Sequence, residues 1–239
     1  MGVLFRPLRN LTIAFLFAFA AMMALGTWQI ERLHWKEGLI AQAGANMKAA
    51  PIGLAEAERL GLHEAQYRHV VLRGRFDHAH EAFVFTTGEG GKPVYHVITP
   101  FLLVGGGVLM VDRGMVPLTL KDPAARAAGQ VEGEQNIVGV WRVPDPPGMF
   151  TPAPDRPNRV WYDRDVEGMA RAAGINLTAP VIIEADAAAN PGGWPRGGQT
   201  VVTFRNDHLQ YAITWYALGV VLLGVYLAYH RAQGRLGLR

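Results

Sequence analysis

The chain has 239 residues, half of them hydrophobic, and a formal net charge of +3. It contains no cysteine and no serine, which excludes thiol and serine nucleophiles, disulfides, thiolate metal carriers and covalent c-type haem attachment. Five arginines near the two ends, Arg6, Arg9, Arg231, Arg235 and Arg239, outweigh the whole net charge, so the basic character signals topology rather than nucleic-acid binding, and no nucleic-acid-reading motif occurs.

Arg6 and Arg9 precede Leu11–Thr27, an uncharged run of 17 residues rich in Phe, Leu, Ala and Met. An Ala-x-Ala triplet at Ala18–Ala20 lies inside this run rather than after it, which predicts an uncleaved anchor over a cleaved signal peptide. Ala14, Ala18, Ala21 and Ala24 recur at helical spacing and offer a small-residue stripe to a second helix. The pattern continues past the apolar run as GTWQIERLHWKEGLIAQ, with Trp28 and Trp35 seven apart and Arg32 between them, so the helix is expected to project beyond a bilayer. Interfacial anchoring is the ordinary role for these residues.

A helix is predicted at Leu54–Leu62, then strands at YRHVVLRGRF (Tyr67–Phe76), EAFVFTT, VYHVITPFLL and VLMVDRG, joined by the glycine-rich turns GEGGKP and GGG. KDPAARAAGQ reads as a loop with a helical turn, NIVGVWRV as a strand, and four prolines from Pro144 to Pro152 argue against a regular element there. Val160–Tyr162 is strand-like. DRDVEGMARAAG predicts an amphipathic helix with Asp163 as N-cap and Gly174 as its stop, followed by strands at PVIIEAD and TVVTFR. His78 and His80, two apart, suggest either metal binding or a turn; no further ligands follow at a recognisable spacing. No acid–base pair or phosphate loop is visible.

Leu209–Tyr229 holds 21 residues without a formal charge, about 31 Å of helix, which matches a bilayer's hydrocarbon. Asn206 and Asp207 suit its N-cap, and His230, Arg231 and Arg235 suit a cytoplasmic exit. Both termini are thus expected in the cytoplasm. The predicted organisation is a tail over 1–10, a transmembrane helix over 11–28, a periplasmic domain over 29–205, a second transmembrane helix over 206–229, and a tail over 230–239. The fold class is a membrane hairpin of two transmembrane α-helices flanking a β-rich α+β domain, barrel-like and antiparallel. At the outer end of the second span His208, Tyr211 and Trp215 share one helical face. Such a face suits either an aromatic belt or a flat apolar ligand held through a nitrogen.

GTWQIERLHWK, YRHVVLRGRFDH, VITPF with VLMVDRGMVP, VWYDRDVEGMAR, GGQTVV and RNDHLQYAITWY occur in this order, and together they resemble the Surfeit locus protein 1 family. The resemblance implies a non-enzymatic assembly factor for haem-copper cytochrome c oxidase, acting on the catalytic subunit as haem a is inserted. The haem a synthesis enzyme and the lipid bilayer are the other partners it suggests. It further implies haem a binding with His208, in RNDHLQY, as the iron ligand. Tyr211 and Trp215 would shelter the macrocycle, and Trp28, Arg32, Trp35 and Lys36 of the first motif would lie beside it, their cations against the propionates. A protein-only scaffold for the same complex is the alternative. The family commonly has Asn before Arg-Gly and an aromatic after it; this chain has Asp112 and Met115. The short basic start, without an Arg- and Ser-rich presequence, points to a bacterial inner membrane.

Overall fold

A computed structural model describes residues 3–238, which divide into two compact units, one made of residues up to 42 and from 203 onward, the other of residues 43–202. In the first unit, strand β1 (Val3–Phe5) leads into helix α1, which runs unbroken from Arg9 to Lys48. Helix α1 therefore continues well past the apolar run, because nothing in GTWQIERLHWKEGLIAQ stops it: no proline occurs, and its glycines are isolated.

The second unit follows the order β2 (Ile52–Gly53), α2 (Leu54–Leu60), β3 (His69–Phe76), β4 (Ala82–Thr87), β5 (Pro93–Leu103), β6 (Val108–Pro117), β7 (Gln135–Arg142), β8 (Val160–Trp161), α3 (Val166–Ala173) and β9 (Ile182–Ala185). Strand β5 is long enough to bond two neighbours along one edge. Its residues 93–98 pair with β4, and Phe101–Leu103 pair with Phe76–Gly74 of β3. That second pairing closes the ring β3-β7-β9-β6-β5 into a small barrel. The antiparallel expectation fails at the short pairings β2–β3 and β4–β8 and, within the ring, at β6–β9, which is parallel because β9 is reached by a crossover through α3 rather than by a hairpin.

Alternation along the strands sorts the core. Val70, Leu72, Phe101, Leu109, Val111, Trp141 and Ile183 fill the barrel, and the Trp141 indole N–H donates to the Leu62 carbonyl at 3.1 Å. On the outer face, Val166 and Met169 of α3 cover Val84, Ile98, Met110 and Ile182. Helix α3 is capped by Asp165, whose carboxylate accepts from the Gly168 N–H at 2.8 Å, and not by Asp163; Gly174 ends it in the left-handed region at φ 70°. The expected strand over Thr200–Arg205 does not form. Closure of the barrel leaves that stretch no vacant edge in the ring, and Val201 stays largely exposed.

The chain returns to the first unit in α4 (His208–Ala232) and ends in β10 (Leu236–Leu238), which pairs antiparallel with β1. Both α1 and α4 are long and apolar enough to cross a membrane.

Candidate functional site

Helices α1 and α4 are joined through small residues and a ladder of polar contacts. A Cβ on buried Gly26 would stand 2.6 Å from the Tyr216 ring, so glycine is required for this approach. The Tyr216 hydroxyl lies 3.2 Å from Thr27 Oγ1, and Thr12 Oγ1 lies 2.7 Å from the Tyr226 hydroxyl. Fully buried His230 takes the Leu8 N–H on Nε2 at 3.2 Å, which leaves its proton on Nδ1 to donate to the Tyr226 carbonyl at 2.9 Å.

At the other end of α4 the same logic fixes His208. Its Nδ1 is 2.7 Å from Gln29 Oε1, an atom that can only accept, so the proton sits on Nδ1. On the neutral ring Nε2 is then a lone pair, and it has no hydrogen-bond partner among the described residues. This is the nitrogen a metal would take. Asp207 occupies the N-cap position but makes no side-chain cap; its carboxylate instead pairs with Arg205.

The other residues expected around His208 separate by helical geometry. Trp215, seven residues on, shares the partly buried side of α4 with His208, whereas Tyr211 is half-exposed. On α1, Arg32 and Lys36 follow Gln29 at i+3 and i+7 and stay on its side. Trp28 lies two residues, about 200°, from Gly26 on the opposite side, where it and Trp35 are each 50% exposed. The Arg32 guanidinium stacks on the Trp35 ring at 3.9 Å, and Lys36 Nζ sits 5.5 Å from the centre of the Phe204 ring. Neither cation has a carboxylate partner among the described residues. Gln29 is not marked by the sequence: a single amide in the middle of a helix gives no periodic signal, and only the pairing of the two helices reveals it.

In the second unit, ionisable groups pair off in largely buried clusters. Glu81 receives Arg126 at 2.5 Å and Arg113 at 3.3 Å, while Arg113 also donates to the Gly129 carbonyl and stacks 4.6 Å from the Phe76 ring. His78 joins this cluster, 3.3 Å from Glu81 and with Nε2 donating to the Val131 carbonyl; His80 pairs with Asp77 at 2.7 Å. On the barrel's outer face Asp112 is held by His96 at 2.8 Å, Arg164 at 3.2 Å and the Gly114 N–H at 2.9 Å. The departure from Asn at this position is thus matched by three hydrogen-bonding partners, His96, Arg164 and the Gly114 N–H.

Burial pushes the Glu81 carboxyl up, but hydrogen bonds from His78 and Arg126 and the charges of Arg126 and Arg113 outweigh it and hold the group at about 2. Asp112 is likewise pushed up by burial and brought below its ordinary range by His96, Arg164 and the Gly114 N–H. A depressed folded-state value means the stabilisation is present above the ordinary 4.5 and is lost as the pH falls through about 2. For Glu81 that is on the order of 3 kcal/mol. Acid titration of tryptophan fluorescence should therefore show the barrel losing stability steeply between about pH 4.5 and 2; a flat profile across that window would count against the cluster.

A small barrel carried between two long apolar helices, with a lone-pair histidine at the head of the second, defines a class of two-helix tethered barrel proteins. A model described as the SURF1 family matches residues 16–220. Surfeit locus protein 1 of Rattus norvegicus is 38% identical over 221 residues, covering 85% of this chain and 70% of that protein. The Homo sapiens protein of the same name is 38% identical over 210 residues (81% and 69%), and a SURF1-like protein of Monosiga brevicollis is 39% identical over 229 residues (90% and 86%). The chain belongs to the SURF1 family.

Proposed function

We propose that this protein is a non-enzymatic assembly factor for haem-copper cytochrome c oxidase that holds haem a for insertion into the catalytic subunit. The observation that carries the reading is His208, with Nδ1 occupied by Gln29 and Nε2 without a partner among the described residues. A neutral imidazole in that state fits haem iron, to which it would supply a nitrogen ligand. The bound haem would supply the iron centre and macrocycle that the oxidase needs; this chain's part is to hold and shelter them.

Trp215, two turns after His208 on the same side of α4, offers an apolar wall, and Tyr211, half-exposed, a second one toward the lipid. Arg32 and Lys36 stand on the Gln29 side of α1 without carboxylate partners among the described residues, which suits them to propionates. Trp28 and Trp35 face away from Gly26 and fit interfacial anchoring, with Trp35 also backing Arg32. In this reading α1 and α4 span a bacterial inner membrane, both termini are cytoplasmic, and the domain between the spans is periplasmic, with the haem a synthesis enzyme as a possible donor.

In a strain lacking this chain, oxidase isolated from membranes should be deficient in haem a. The wild-type chain should restore it, and His208→Ala, at equal abundance in the membrane, should not. Full restoration by His208→Ala would favour a scaffold that binds protein only.

A further inference from the structure

We propose, resting on the haem reading above, that Gln29 is the positioning residue of the His208 ligand. It fixes which ring nitrogen is free and makes ligation depend on the pairing of α1 with α4. The two side chains are 179 positions apart in sequence and meet at 2.7 Å. An imidazole can present Nε2 to a metal only if its proton is on Nδ1, and a carbonyl-type oxygen at Nδ1 secures that tautomer. Were the amide reversed, its nitrogen would donate to Nδ1, the proton would move to Nε2, and the ring could not ligate.

The position of Gln29 on α1 follows from the packing beneath it. Gly26, one turn earlier, admits the Tyr216 ring, and Thr27 meets the Tyr216 hydroxyl at 3.2 Å. These contacts set the separation and rotation of the helices at the level where Gln29 reaches His208. Separating the pair would leave His208 free to reorient and to exchange tautomers. The oxygen also raises the donor strength of Nε2, since an acceptor at Nδ1 pulls the shared proton away from the ring.

The test uses the full chain, co-expressed with the haem a synthesis enzymes and purified in detergent, with Gln29→Leu, Gln29→Glu and His208→Ala alongside. Haem a per protein and the midpoint potential of the bound iron are measured at matched helix content. Gln29→Leu cannot accept a hydrogen bond and is expected to retain about ten- to a hundred-fold less haem. Gln29→Glu keeps an acceptor and strengthens it, so it should retain haem with a more negative midpoint potential than the parent. A role confined to helix packing would not move that potential. If Gln29→Leu and Gln29→Glu both hold haem at the parent's level and potential while His208→Ala loses it, Gln29 has no positioning role and the haem reading stands. If His208→Ala retains haem at the parent's level, the haem reading fails, and the role of Gln29 with it.

Discussion

Glu81→Gln is expected to lower the stability of the barrel unit by about 3–5 kcal/mol, the cost of leaving buried charges without their partner. The Glu81, Arg113 and Arg126 side chains are each no more than 2% exposed, and the single carboxylate serves both guanidiniums. Burial, only partly offset by Glu81, already brings Arg113 down to about 10, and the Arg126 charge adds to the fall. Gln at position 81 keeps the shape but leaves two cations facing each other, with the carbonyls of Gly129, Leu120 and Lys121 to receive them. Urea denaturation followed by tryptophan fluorescence reads the difference. A midpoint within experimental scatter of the parent would show that the carbonyls suffice.

Gly114→Ala should be more damaging still, costing more than about 4 kcal/mol and preventing accumulation of the folded protein. Gly114 follows the buried Arg113 on β6 and has φ +108°, outside the range of L residues. A Cβ there would lie 1.8 Å from the Arg196 carbonyl oxygen, and that residue is bonded to Met115 in both directions at 3.0 Å, so the obstacle is backbone that cannot swing aside. Gly133→Ala is the control. Its φ is also positive, at +74°, but nothing lies within 4 Å, so only the conformational cost of about 1 kcal/mol applies. Equal losses for the two variants would mean that the close approach contributes nothing.

Much of the barrel could be read from local pattern. HVVLRGRF, AFVFTT and VLMVDRG alternate cleanly enough to place β3, β4 and β6, and Leu54 and Gly174 marked the start of α2 and the end of α3. Asp163 and Asp165 are both plausible caps in sequence because two carboxylates stand two apart, and only the geometry at Gly168 decides for Asp165. Closure of the ring lay beyond the sequence, since it depends on where β5 turns from one neighbour to another. The long-range clusters did too: residues 81, 113 and 126 carry no shared spacing. TVVTFR has strand composition, yet a strand also needs a free edge, and composition does not carry that information.

The candidate site divided along the same line. His208 was legible because a histidine at the head of a long apolar helix is unusual, and Tyr211 and Trp215 because they follow it at helical spacing. Gln29 was not, since both helices are apolar around most of their circumference and the sequence does not say which face of one meets the other. Trp28 and Trp35 stand across α1 from Gly26, which meets Tyr216, and are each half-exposed, with Trp35 stacked by Arg32.

The most direct measurement is the visible spectrum of the detergent-purified chain after co-expression with the haem a synthesis enzymes, recorded beside that of His208→Ala at matched helix content. The account predicts a haem a spectrum for the parent and its loss in the variant. A parent without haem a, or a variant that carries it equally, would contradict the account.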